Sequence, residues 1–357
     1  MIVKDEAHVI ERCLRSAMPL FNRWCIVDTG STDDTKQIIA EVLKDVPGEL
    51  HERPWKNFGH NRSEGIDLAS KTAENLLFLD ADEVVELPPG FTMPFLDQDA
   101  YEMQMVYGAV EFWRLGIVST KLKWRSVGVL HEYLAAERDY QKQRLFGPRV
   151  LAVGDGGRSQ GISLHEKYKR DAGTLEKALQ DEPENSRYAF YLAQSYRDAE
   201  MFEQALRAYQ RRATMGGWDE EVWYSLFQVA YLSERTGVVP STITQRYLAA
   251  FQFRPTRAEP LVELARYHRS REEFALAHLY AQHAMGLLRP DDTLFLDVPC
   301  YTWRAKDEFS IAAYYLGQHK ESKEVCEDLL TSKDLPEAER PRVTENLRFA
   351  TEALGQL

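Results

Sequence analysis

The chain has 357 residues, 44% of them hydrophobic and 28% charged, with a formal net charge of −12 and a pI near 5.4. That length suggests two domains with real cores, and the acidity excludes a nucleic-acid backbone as the main partner. It does not exclude a small anion, because a local basic or metal-loaded pocket overrides the global field. The four cysteines, Cys13, Cys25, Cys300 and Cys326, contain no CxxC pair, and no His/Cys cluster has zinc spacing, so reduced thiols are expected. The opening MIVKDEAHVIERC lacks the pattern of a signal peptide, and no run reaches about 18 apolar residues. A soluble, cytoplasmic protein without a membrane span is the expectation.

Up to about residue 165 the chain alternates between two textures. RWCIVDTG (23–30) is a short β-type run closed by a glycine turn, and STDDTKQIIAEVLKD (31–45) reads as a helix capped by Ser31 or Thr32. NRSEGIDLASKTA (61–73) reads as a second helix and ENLLFLD (74–80) as the next strand. Strand, helix and strand with short connections predict a parallel sheet with helices on its faces, and ligands of such sheets bind beyond the carboxyl ends of the strands. Both VDTGS and LDADE fall at such ends. The second is the sharper signal: the apolar run LLFL ends in Asp80, Asp82 and Glu83, whose mutual repulsion costs stability unless a positive group sits there. A solvated turn is the plain alternative.

From about 166 onward the pattern is helical throughout, and it repeats. Ala193, Tyr196, Ala205 and Tyr209 stand at offsets of 3, 12 and 16, as do Ala265, His268, Ala277 and Ala281 and, more weakly, Ala313, Leu316, Val325 and Leu329. Pro183, Pro255, Pro290 and Pro336 fall between the helical stretches, and insertions interrupt the repeat around 235–243 and 291–306. This resembles tetratricopeptide repeats, whose stacked helix pairs make concave surfaces that hold peptides; a bundle that only braces the first domain is the other reading.

MIVKDEAHVIERCLRSA, IVDTGSTDDT, FGHNRSEGIDLA, LLFLDADE and VLHEYL, in this order, resemble the family 2 glycosyltransferases. The resemblance covers roughly 1–170 and implies an α/β GT-A fold, a Rossmann-like mixed sheet with helices on both faces. An all-α tetratricopeptide-like helical repeat domain follows, as in bacterial peptide S-glycosyltransferases. The domains are then 1–165 and 166–357. The family moves a sugar from a nucleotide-diphosphate sugar, typically with inversion and a divalent cation. Hard cations prefer carboxylate oxygens and neutralise a leaving diphosphate well. By the same resemblance DAD is the DxD motif: Asp82 would ligate Mn²⁺ or Mg²⁺, and Asp80 would face the ribose or a metal-bound water. Glu6, Asp28 and Thr29 would approach the nucleoside of a UDP-sugar, and Arg62 the base or the diphosphate, unless it is a surface helix arginine. Glu132 would be the base that deprotonates the acceptor, with His131 beside it as base, ligand or acceptor contact. The two are read as extended neighbours on opposite faces. His165 would be a further metal ligand.

The glycine-rich RLFGPRVLAVGDGGRSQG (144–161), with Arg149 and Arg158, is expected either to close over the diphosphate or to be a linker. Family members have more residues before the first strand, so this strand is short or the chain trimmed. The acceptor would be a peptide, protein or glycan, and exposed repeats of this kind often pair as homodimers. Two rival readings stand: a scaffold whose helices bind a partner beside an inactive sheet domain, and a nucleotidyltransferase.

Overall fold

A computed structural model describes residues 1–107, 110–157, 161 and 163–355. The chain folds as two compact units, Met1–Asp181 and Glu182–Leu357.

In the first unit β1 (Ile2–Val3), β2 (Trp24–Asp28) and β3 (Gly48–Glu52) form a parallel sheet in the order β1-β2-β3. Helices α1 (Ile10–Ala17), α2 (Thr35–Val42) and α3 (Phe58–Ala69) connect and follow them. In α1, Ile10, Cys13, Leu14 and Ala17 recur at three- and four-residue spacing and are all buried. Alternation along β2 puts helices on both faces. Ile26 packs with Ile10, Leu14, Ile39 and Leu43, while its neighbour Val27 faces α3, where a Cβ added to Gly65 would lie 3.4 Å from it. A second, mixed sheet has the order β4-β7-β6-β10-β5, from β4 (Asn75–Leu77), β5 (Glu83–Glu86), β6 (Ala100–Tyr107), β7 (Val110–Ser119) and β10 (Lys142–Ala152). Strands β8 (Trp124–Val127) and β9 (Tyr133–Ala136) form a separate hairpin, and α4 (Leu164–Asp181) ends the unit.

Three local expectations change. Helix α2 begins at Thr35 rather than at Ser31, because residues 31–35 clasp the turn after β1 instead of capping a helix. Asp5 N–H donates to Ser31 Oγ (3.0 Å), Glu6 N–H to Thr35 Oγ1 (2.8 Å) and Ala7 N–H to Asp33 Oδ2 (3.1 Å), and Thr32 N–H donates to Asp5 Oδ1 (2.7 Å). Next, the glycine-rich stretch is strand as far as Ala152. Its register shifts between Leu145 and Arg149, and Gly147 turns there at φ +115, so close to Phe91 that a Cβ would meet the ring at 2.8 Å. Only 153–157 remains as described loop, and Arg158 lies outside the described residues. Finally, Gly128–Glu132 is not extended: it is the connection of the β8–β9 hairpin, with Gly128 at φ +121 and His131 at φ 50.

The second unit is all helix. Helices α5 (Ser186–Asp198), α6 (Phe202–Ala213), α7 (Asp219–Ser233), α8 (Pro240–Phe253), α9 (Glu259–Arg269), α10 (Phe274–Met285), α11 (Ala305–Tyr315), α12 (His319–Thr331) and α13 (Arg340–Gly355) pack mainly against their sequence neighbours. The repeated small residues Ala193, Ala205, Ala265, Ala281 and Ala313 are fully buried, as close helix approach requires, whereas Leu316 in the weak third copy is 41% exposed and is not core. The pair α7–α8 is a repeat that the offsets missed, because the insertion before α8 shifts its register. A buried ion cluster pins the chain after α8. Arg257, with no exposed surface, bonds Glu259 (2.8 Å) and Asp292 (3.1 Å) and lies 3.6 Å over the Trp223 ring.

Removing Arg257 leaves buried Glu259 without its ion pair, while Asp292 keeps Arg254. Arg257→Ala is expected to lower the unfolding free energy of the helical unit by about 3–5 kcal/mol, measured by urea denaturation followed by circular dichroism.

Candidate functional site

Asp28 ends β2 fully buried. Its Oδ1 accepts from Gly30 N–H and Ser31 N–H, both 2.9 Å, which closes the DTGS turn and leaves Oδ2 buried without a hydrogen-bond partner. Thr29 is buried beside it and bonds Val3 O through both its amide and its hydroxyl, tying the turn to β1. The carbonyl of Asp28 accepts from Arg53 N–H at 2.9 Å, so the segment leading to α3 starts at the same rim. Asn61, fully buried in α3, holds that segment by donating to Pro54 O (3.0 Å) and accepting from Lys56 N–H (2.9 Å).

The acidic tip after β4 is built from within. Glu83 is 3% exposed; it accepts from Asp80 N–H at 2.9 Å and pairs with Arg114 of β7 at 2.8 Å. Burial first, then the charge of Asp80, push the Glu83 carboxyl up to about 7, against the pull of Arg114. Burial works against the charge of Asp80 as well, but Arg62 and then Arg114 outweigh it and hold Asp80 below the usual carboxylate range. Two of the three acids are therefore engaged. Asp82 is not: among the described residues its carboxylate has no hydrogen bond and no ion pair. Gly156 is buried against it, and a Cβ there would stand 3.1 Å from Asp82 Oδ2. Glu6 faces the same space. It is half-buried, accepts from Gly157 N–H at 2.9 Å, and is raised above its ordinary pKa by burial first and then by the charges of Asp82 and Asp80, which outweigh that hydrogen bond.

Arg62 joins the two halves of the site. Its guanidinium bonds Asp80 Oδ1, and its Nε lies 2.5 Å from Glu132 Oε1, a charge contact rather than an aligned hydrogen bond. Burial favours the neutral form of the arginine, and the two carboxylates reverse that and raise its pKa. The sequence around Arg62 sets this meeting. Gly59, one turn earlier, lets α3 approach the hairpin so closely that a Cβ would lie 2.6 Å from Gly128 O, and Ser63 Oγ accepts from Ser126 N–H at 3.0 Å. The helix carrying Arg62 and the hairpin carrying Glu132 are thus docked backbone to backbone.

Glu6, Asp80, Asp82, Arg62 and Glu132 share one electrostatic neighbourhood, with Asp28 and Thr29 on the adjoining turn. His131 stands exposed in the left-handed region of the hairpin connection, and His165 is exposed in the first turn of α4. No group of three His, Cys, Asp or Glu side chains able to hold a metal forms among the described residues. Sequence reasoning missed Arg114, which lies in a strand with no motif around it, and it missed the structural part of Glu83. For Glu83 a signal was present, since a carboxylate three residues after Asp80 can reach back to its N–H.

Residues 1–142 match the model described as Glycosyl transferase family 2. The glycosyltransferase SunS of Bacillus phage SPbeta is 25% identical over 221 residues, 58% of this chain and 50% of that protein, so the chain spans about half the length of this relative. A TPR repeat-containing protein of Synechococcus elongatus is 27% identical over 315 residues, 80% of this chain and 74% of that one. Among solved structures, a tetratricopeptide repeat protein from Parabacteroides merdae covers 53% of this chain and 68% of its own, with a TM-score of 0.38 and 17% identity. The match ends at the first residue of β10, the strand that lies between β6 and β5 in the mixed sheet.

In this glycosyltransferase domain the Arg62 pairing has a measurable signature. Asp80 has a depressed pKa, so its contribution is present at neutral pH and is lost as pH falls through that depressed value. Arg62→Met is expected to destabilise the domain at pH 7, with the gap to the wild-type chain closing below about pH 4, where carboxylates protonate. Denaturant titrations at pH 7 and across pH 3–5 check this.

Proposed function

We propose that the chain transfers a sugar from a nucleotide-diphosphate sugar, of the UDP-sugar class, to a peptide, protein or glycan, with inversion and with Mn²⁺ or Mg²⁺. The observation that carries the reading is Asp82: beside two acids held by their own neighbours, it is the carboxylate left without a hydrogen bond or ion pair among the described residues. Gly156 leaves no side chain against it. A hard oxygen donor of this kind would fit a cation whose remaining ligands come from the donor's phosphates. With that cation bound, the departing diphosphate is neutralised. His165 is not counted in the set, and His131 stays a candidate acceptor contact.

The remaining roles fall to the chain's own side chains. The unpartnered Oδ2 of Asp28 is a buried acceptor, which suits a base that offers a hydrogen-bond donor, as the ring N–H of uracil does. Glu6 and Thr29 adjoin the same turn, and Asp80, aimed by Arg62, is offered to the ribose. Glu132 is the base: as the acceptor's oxygen, sulfur or nitrogen attacks the anomeric carbon from the face opposite the diphosphate, its proton passes to the Glu132 carboxylate. Arg62 keeps that carboxylate turned inward. No described helix is long and apolar enough to cross a membrane. The unpaired thiols Cys13, Cys25, Cys300 and Cys326 suit a reducing, cytoplasmic setting.

Calorimetric titration with UDP and Mn²⁺ tests the donor site. Binding that depends on the metal and is lost in Asp82→Asn is expected. No metal-dependent nucleotide binding would leave the helical unit as a scaffold beside an inactive domain. For the base, Glu132→Gln is expected to lower the rate of transfer by about 10²–10⁴-fold while nucleotide binding stays within twofold of wild type, once a donor screen has supplied a substrate. Normal turnover by that variant would sink the assignment.

A further inference from the structure

The five residues after β10 meet the turn after β1, about 150 residues earlier in the chain. Asp155 takes the Arg12 guanidinium in both carboxylate oxygens, at 2.7 and 3.0 Å, and its carbonyl lies 2.7 Å from His8 Nε2. Gly157 N–H donates to Glu6 Oε2 at 2.9 Å. Between them Gly156 is buried against Asp82, and Gly157 runs so close to the β1 turn that a Cβ would lie 2.4 Å from Asp5 O. Gly157 thus has no room for a side chain and Gly156 little, and the contacts that hold them there are made by Gly157 itself and by Asp155 before it.

We infer that Arg12 and Asp155 are positioning residues for the donor, holding the Gly156–Gly157 backbone against Asp82 and Glu6; this rests on the reading of that rim as a nucleotide-diphosphate site. The pair is poorly suited to a stabilising role. Both side chains are about two-fifths exposed, at 41% and 43%, and ion pairs of that kind contribute little to folding. What the pair does have is placement. Arg12 projects from α1, which is anchored through buried Ile10, Cys13 and Leu14, so a rigid element sets the position of a glycine-rich loop. The two-pronged geometry fixes direction as well as distance. Peptide backbone set this close to Asp82 presents dipoles and no side chain, the surface a diphosphate needs beside a cation. Without the pair, the glycines are free to leave, and water enters the flank of Asp82.

The test is calorimetric titration of the full chain with UDP and Mn²⁺, comparing wild type, Asp155→Asn, Arg12→Gln and the exchanged pair Arg12→Asp/Asp155→Arg. By charge alone, removing the anion at Asp155 tightens binding of an anionic ligand. The positioning role predicts the reverse: Asp155→Asn and Arg12→Gln each bind about fivefold more weakly, the scale of one oriented ion pair, and the exchanged pair returns to within about twofold of wild type. Melting temperatures are expected to stay within a few degrees throughout, since an exposed pair is removed. Unchanged or tighter binding by Asp155→Asn, or no recovery in the exchanged pair, overturns the inference while leaving the donor site standing. Absence of UDP binding in the wild-type chain overturns both.

Discussion

The site depends on one arginine held between two carboxylates. Arg62 bonds Asp80 on the acidic tip and contacts Glu132 on the hairpin, and so joins the tip that follows β4 of the mixed sheet to a separate two-stranded element. A clustered acidic turn is unfavourable by itself, and here the repulsion is resolved in two ways. Asp80 is satisfied by Arg62, and Glu83 is driven into the protein, where burial raises its pKa and Arg114 shares its charge. Asp82 alone is left to face outward ligands. The division of labour among three adjacent acids is thus a matter of which cations the fold brings behind them.

That arrangement needs close backbone approach at three places, and each is made by glycine. Gly59 lets α3 meet the hairpin, Gly156 lies against Asp82, and Gly157 passes the β1 turn. Arg12 and Arg62 are fixed by helices α1 and α3, while Asp80, Asp82, Glu132, Gly156 and Gly157 sit on connections. Helices thus hold these cations in place behind acids carried on loops.

The helical unit is organised on other terms. Its cohesion comes from alanines that let neighbouring helices approach, and from an Arg257 cluster with no exposed surface that fixes the chain between α8 and α9. Its likeness to repeat proteins lies in the spacing of those small residues. The insertion before α8 hides one helix pair from that spacing without disturbing the packing, because loop length between paired helices is cheap while core volume is not.

By itself the sequence determined the two-part organisation and the placement of DTG and DAD at strand ends, and it singled out Asp28, Arg62, Asp80, Asp82 and Glu132 as candidates that the fold then brings together. Periodicity and strand-end acids are local properties, so they survive in a linear string. Tertiary structure decided the rest. It assigned residues 31–35 to clasping the β1 turn rather than to a helix cap, and it extended a glycine-rich stretch into β10 because two partner strands were available to pair it. It also paired Arg114 with Glu83 and Asp155 with Arg12. Those are contacts between residues distant in the chain, and nothing in the composition or spacing of either partner announces the other.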